Sequence, residues 1–379
     1  MARSVLLASH YNVWREPFNS QSQGFLSVVA GIEDADLLAP EGASYLAGHA
    51  VRPSVKYLLA ESAHRILSHL SRRMGRPALS NMIETEVAKN YDLFFFTCQF
   101  PHDLSALNRL KHWRERSGIA VAYLMETWSS SLAYAAPNLR LLNDFDHVFV
   151  LNEQSIPELR KYIHKPISAL APATDCLLTT PMPLAPERTI DVYSYGRRSP
   201  TVHAELLDMS RTSKDFFYVF DSIRGGKVND WEEHRLLNAS NMMRAKYFIA
   251  FNPRDVGAGA RGAFRNEDAL STRYFEGAAG GAVMLGSSPT TARFDEYFDW
   301  PDAVIPLSPQ GGISELIADL GAQQGRLQAA SQRNIIGSLR RHDWSHRWAE
   351  ILGTIGMEPT AALHDRHANL ARLAEQASS

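Results

Sequence analysis

Four prolines fall between Pro172 and Pro186, in the stretch APATDCLLTTPMPLAPE. Proline has no backbone N–H and fixes φ, so neither a helix nor a central strand runs through such a stretch. On each side lies a series of short apolar runs separated by helical patterns. Before it stand Val5–Ser9, Leu37–Ala39, Tyr91–Cys98, Ile119–Met125, His147–Leu151 and Ile167–Leu170. After it stand Ile190–Tyr195, Phe216–Phe220, Tyr247–Phe251, Ala282–Leu285 and Ala303–Pro306. Strands alternating with helices specify a parallel α/β sheet. The unbroken apolar run Tyr91–Cys98 fits a strand covered on both faces. The chain is therefore expected to hold two doubly wound, Rossmann-like domains: residues 1–175, a linker at 176–189, and residues 190–358. Residues 359–379 should add a last amphipathic helix, over Thr360–Gln376, crossing back to the first domain.

A length of 379 residues suits two cores rather than one. The formal net charge of −2 gives no excess of cations for a nucleic-acid partner. Two cysteines, Cys98 and Cys176, make neither a disulfide framework nor a zinc signature, and a reducing cytoplasm is the expectation. No apolar run is long enough to span a membrane. Residues 54–74 read as a helix through Tyr57, Leu58, Ala63, Ile66, Leu67 and Leu70. Ala106–Arg116 reads as a basic helix. No basic amphipathic helix of the membrane-docking kind stands out, so peripheral membrane contact is left open.

The polar residues of Asn266–Gly286 carry the functional signal. Leu270, Tyr274 and Ala278 predict one apolar face of a three-turn helix, ended by Gly280-Gly281. On such a helix Asp268, Thr272 and Glu276 share an edge within about 80°, with the two acids about 12 Å apart along the axis. A helix start favours phosphate, and a carboxylate two turns on can accept from a ribose hydroxyl pair. The same helix–strand unit would also form with a merely solvated Glu276. Gly196-Arg197-Arg198 follows a strand, where a glycine admits close approach and an arginine fork grips a diphosphate. Gly257, Gly259 and Gly262 spell a glycine-rich pattern six residues past a strand. It reads as a loop over the site, with Arg261 or Arg265 as phosphate contacts.

RYFEGAAGGAVML resembles the donor-site run of the GT-B glycosyltransferases, especially family 4 and the CgeB-like proteins. In family 4 the Glu is the second acid of an E-x7-E pair; Glu276 takes that place, with Asp268 where the family has a first Glu. APATD, YSYGRRSP and the closing RHDWSHRWAEILGTIG are similar to further family landmarks. The resemblance spans roughly residues 170–355 and is weak before that. It implies a GT-B fold, two Rossmann-like domains facing across a cleft, and a hexosyltransferase-type enzyme. Such an enzyme moves a sugar from a nucleoside-diphosphate-sugar to a glycan or small-molecule hydroxyl, with no obligatory cofactor or metal. It also implies polysaccharide or glycoconjugate synthesis and retention of configuration, inversion staying open.

On that reading Gly196, Arg197, Arg198, Arg261, Arg265, Ser271, Thr272, Arg273 and Glu276 bind the donor. Glu276 takes the ribose, Asp268 is a catalytic candidate that orients the donor sugar, and Lys214 or Lys227 adds to the phosphate grip. His10, just after the first strand, is the candidate catalytic group of the N-terminal half, since imidazole titrates near neutrality. His102 and Glu126 occupy similar strand ends on the acceptor side, and Trp128 and Tyr134 can stack on a sugar ring or fill core. The lone D-x-D, Asp144–Asp146, precedes a strand and reads as a loop. Two other functions share the pattern: a sugar-nucleotide epimerase, and a non-catalytic nucleotide- or glycan-binding protein.

Overall fold

The computed structural model describes residues 3–43, 55–223, 226–256 and 267–378. They form two compact units: residues 1–171 with 225–229, and residues 172–224 with 230–379.

The first unit is built on six parallel strands. They are β1 (Ser4–Ser9), β2 (Asp34–Leu38), β3 (Tyr91–Cys98), β4 (Ser117–Leu124), β5 (His147–Val150) and β6 (Ile167–Ala169). Their order across the sheet is β2-β1-β3-β4-β5-β6. Strand β3 lies between β1 and β4, and Leu93 through Cys98 are fully covered. That explains the unbroken apolar run: a strand paired on both edges and packed on both faces has no solvent side on which to place polar residues. Helices α1 (Ser20–Ala30), α2 (Val55–Arg73) and α3 (Ser129–Leu139) are the longest described helices of this unit. Phe25 of α1 packs edge-on against Phe95 and Tyr123, while Phe94 stacks with Trp113 and Phe145 on the other face. Burying each such ring contributes about 1.5–3 kcal/mol.

The second unit carries five parallel strands: β7 (Ile190–Ser194), β8 (Tyr218–Phe220), β9 (Ala245–Ala250), β10 (Val283–Gly286) and β11 (Ile305–Pro306), in the order β8-β7-β9-β10-β11. Around them lie α4 (Pro200–Thr212), α5 (Trp231–Arg244), α6 (Thr272–Ala279), α7 (Ile313–Gly321), α8 (Gln324–Arg341), α9 (Trp344–Thr354) and α10 (Ala361–Ser378). The proline-rich stretch docks on this unit through Arg188. Its guanidinium donates to the carbonyls of Ala245 (2.8 Å), Gly280 (3.1 Å) and Met243 (3.3 Å).

Two expectations are corrected. Ala106–Arg116 is not an α-helix: a 3₁₀ segment, Pro101–Arg109, runs into the short strand Leu110–Lys111, which pairs with Thr85–Glu86. Pro101 at its first position starts that turn, and tertiary pairing overrides local helix propensity. The helix foreseen from Asn266 begins only at Thr272. The last helix buries Leu370, Leu373 and Ala374 with Ile335 and Leu339 of α8.

Both sheets reverse direction once. In the first, the chain goes from β1 outward to β2 and then back past β1 to β3; in the second, from β7 to β8 and then past β7 to β9. Loops leaving the two strands at such a reversal run to opposite faces and leave a crevice at their carboxyl ends. The reversal points lie between β1 and β3, and between β7 and β9.

Candidate functional site

The crevice of the second unit opens where β7 ends. Gly196 has φ of 69°, a left-handed turn that admits glycine without strain. It swings the chain into Arg197 and Arg198 before Ser199 caps α4, accepting from the Val202 N–H at 3.2 Å. Helix α6 faces this loop. Ser271 caps it, its hydroxyl accepting from Arg273 N–H. The buried Arg273 side chain donates to the Arg197 carbonyl at 2.6 Å, and the Tyr195 hydroxyl donates to Glu276. The sequence-predicted Gly196, Arg197, Ser271, Thr272, Arg273 and Glu276 are thus brought together by two direct contacts between the loop and the helix.

Electrostatics at this spot are unusual. Burial pushes the Glu276 carboxyl above its ordinary value, against the pull of the Tyr195 hydroxyl and the Arg273 charge. Burial lowers the Arg273 guanidinium, and the Arg197 charge lowers it further. Two guanidinium charges and a helix start converge here, so the local field favours an anion. Arg198 leans outward. It donates to the Asp221 carbonyl at 2.6 Å, pairs with that carboxylate at 3.2 Å and lies over the Phe220 ring. Its Nη1 is buried with no hydrogen-bond partner among the described residues.

Asp268 is not on the helix edge with Glu276. It sits in the loop before α6, and Asn252 (2.9 Å), the Thr290 N–H (3.0 Å) and the Thr290 hydroxyl (2.7 Å) all donate to it, with Arg254 at 3.4 Å. Burial opposes its ionisation, but these donors hold the carboxyl below its ordinary value. It ties the segment before α6 to the ends of β9 and β10. Arg261 and Arg265, with the glycines of the pattern Gly257–Gly262, lie outside the described residues. Of the two lysines, Lys214 is exposed in a turn after α4. Lys227 belongs to the first unit, where it pairs with Glu16 at 3.1 Å.

The crevice of the first unit gathers another set. His10 follows β1, and its Nε2 lies 3.1 Å from Asp103, which follows β3. His102 approaches the other Asp103 oxygen at 3.3 Å, and the Phe100 N–H donates to Asp103 at 2.8 Å. Burial works against the Asp103 charge, yet His10, His102 and the Phe100 N–H keep it below the usual carboxylate value. His10 is buried and its Nδ1 has no hydrogen-bond partner among the described residues. The group lines a cavity of about 210 Å³ together with Trp14, Ser68, Asn81 and Ser105. Glu126, after β4, accepts from Gln99 at 2.9 Å and from the Trp128 indole at 3.0 Å. Tyr134 is exposed on α3. Asp146 accepts from the Ala120 N–H and pairs with Arg114, as a loop anchor. Among the described residues no group of three or more His, Cys, Asp or Glu is placed to hold a metal.

Asp103, Tyr195, Asn252 and Thr290 were not foreseen. Asp103 did carry a signal, as the third residue of the turn opened by Pro101 directly after a buried strand. Tyr195 carried none, because a tyrosine ending a strand reads as core.

Residues 208–353 match the family model described as "Glycosyl transferase-like". No curated protein matches the chain. Among solved structures, HepE from Anabaena in complex with UDP and glucose is 12% identical, with a TM-score of 0.51 over 93% of this chain and 99% of that one. An α-glucosyltransferase solved with UDP-glucose and DNA containing an abasic site is 10% identical, with a TM-score of 0.50 over 94% and 99%. The fold is accordingly α/β of the GT-B kind, with two Rossmann-like units.

Proposed function

We propose that the chain is a glycosyltransferase that moves a sugar from a nucleoside-diphosphate-sugar to a hydroxyl of a glycan or small molecule. The observation that carries this reading is the pairing of the β7 exit with α6: Arg197 and Arg273 beside the helix start, Glu276 one turn on. An anionic diphosphate is favoured at the helix start and the guanidiniums. The Glu276 carboxylate is positioned to accept from ribose hydroxyls. Uridine is the base we favour, supported by the UDP-bound structures whose fold the chain shares. Leaving-group charge is stabilised by these fixed dipoles, which need no reorganisation during reaction. Asp268 acts on this reading as a positioning residue.

Retention is the stereochemistry the family resemblance supports, with the departing phosphate taking the acceptor proton. One observation favours a second reading. His10, oriented by Asp103 and carrying an unpartnered Nδ1, has the build of a general base, and a base on the acceptor side fits inversion. Roles in polysaccharide or glycoconjugate synthesis and a cytoplasmic location belong to the same proposal, the latter supported by the free thiols Cys98 and Cys176.

The test is a thermal-shift series with UDP, GDP, ADP, CDP and dTDP on wild type and Glu276→Ala. A nucleotide at about 100 times its Kd stabilises by about 2.7 kcal/mol. One nucleotide should raise Tm in the wild type and not in the variant. No shift with any of the five at millimolar concentration would remove the donor reading. Release of that nucleotide from its sugar conjugate in the presence of acceptor then separates a transferase from a binding protein or an epimerase, and the anomeric signal of the product separates retention from inversion.

A further inference from the structure

Helix α2 turns an apolar stripe to solvent. Leu59, Ile66, Leu67 and Leu70, continued by Met74, are 47% to 67% exposed. At 100° per residue these five fall within about 100° of arc, a single apolar stripe. Ser68, roughly opposite that stripe, is buried and lines the cavity beside His10 and Asp103. The apolar face therefore looks away from the unit's own core. Exposed apolar stripes of this kind mark interaction sites rather than idle surface.

Charge identifies the partner. Arg73 falls about 20° beyond Ile66 around the helix and Arg76 follows its last turn, in a chain whose formal net charge is −2. Arg73 and Arg76 are exposed beside Leu70 and Met74. No described helix is long and apolar enough to cross a membrane. An apolar stripe flanked by cations, on a helix too polar to insert, is suited to lie in the interface of a membrane bearing anionic lipids. A second copy of the chain is a poorer occupant, because a two-fold interface would set the same cations against each other.

We propose that α2 docks this protein on anionic membrane surfaces through Leu59, Ile66, Leu67, Leu70 and Met74, with Arg73 and Arg76 at the lipid headgroups. No helix of this kind stands out in the sequence, because the stripe has the spacing of a core-facing face and only its direction in the fold sets it apart. The docking does not depend on glycosyl transfer, and its test reads binding rather than turnover.

The full-length protein is sedimented with vesicles of phosphatidylcholine alone and with about 30% phosphatidylglycerol. Wild type should bind the anionic vesicles, and raising the salt should weaken that binding. Ile66→Glu/Leu70→Glu should reduce it about tenfold or more, since it removes two apolar anchors and adds two anions. Arg73→Ser/Arg76→Ser should lose most of the preference for anionic vesicles. Both pairs are exposed, so thermal melts should match wild type and a loss of binding is not unfolding. Absence of binding to anionic vesicles overturns the proposal, as does undiminished binding by the Ile66→Glu/Leu70→Glu protein. A wild-type dimer in analytical ultracentrifugation that this variant abolishes, without vesicle binding, would assign the stripe to a second copy instead.

Discussion

Glu276 shows how one side chain can be costly to the fold and valuable to the site. Its carboxyl is raised by burial, so the folded state binds its proton more tightly than the unfolded chain does. Its contribution to stability is then fully present below the unfolded value of 4.5 and is lost as pH rises through the folded one. Glu276→Gln keeps an acceptor for Tyr195 and removes the charge. It should be more stable than wild type at pH 7 and no more stable below about pH 4. At neutral pH it should bind the donor nucleotide about 10- to 100-fold more weakly, the worth of a charge-assisted hydrogen bond. Denaturant melts at the two pH values and nucleotide titration read these separately. Asp103 makes the opposite case. It touches His10 and His102 in the first unit, far along the chain from the proposed donor residues. Asp103→Asn should lower kcat about 100-fold or more if His10 moves a proton. The nucleotide-induced Tm shift should stay as in wild type, and equal loss of both would reject the assignment.

At the scale of elements, the C-terminal helix α10 is held by one arginine. Arg366 donates to both oxygens of Asp343 at 2.8 Å and to Asp175 at 2.7 Å, while Arg235 takes the other Asp175 oxygen at 2.7 Å. Asp343 is fully buried and caps α9. Arg366→Met leaves that carboxylate without its cation and should cost about 3–5 kcal/mol, measured by urea unfolding. The seam between α9 and α10 should also respond to acid. His346 stacks on His367 with ring centroids 4.5 Å apart, and burial first, then His367, lowers it from 6.5 to about 4. A histidine depressed in the fold keeps its stabilising effect above 6.5 and loses it as pH falls toward 4. The loss from His346 is at most about 3 kcal/mol. His346→Gln should flatten the fall in stability between pH 6.5 and 4, with little change at pH 8. An unchanged acid limb would show that His346 does not titrate there.

At the scale of the molecule, each unit repeats one device: a parallel sheet that reverses once, with polar side chains gathered at the reversal. The proposed division of work gives the donor to the second reversal and the acceptor to the first. Hydrogen exchange tests that division directly. The nucleotide that raises Tm should slow exchange about tenfold or more at residues 195–199 and 271–276, since ligand binding adds its free energy to local opening. Residues 10–13 and 99–103 should exchange as before. Protection confined to the first unit would reverse the assignment.

Sequence alone determined the class of fold, because period and length of apolar runs are local properties. The buried run Leu93–Cys98, the strand starts near Val5, Ile190 and Tyr247, and the Gly280-Gly281 stop all follow from residues and their immediate neighbours. It also placed the loop after β7 and the helix carrying Glu276 as a candidate pair. Tertiary structure decided the rest, because those features depend on what lies across space. Asp268 left the helix because Asn252 and Thr290, from other strand ends, supply it with donors that a helix edge could not. Asp103, 93 positions further along the chain, became the partner of His10 because β3 runs beside β1. Leu59, Leu67 and Leu70 of α2 have the spacing of a core-facing helix, and only the packed fold shows that this face points outward.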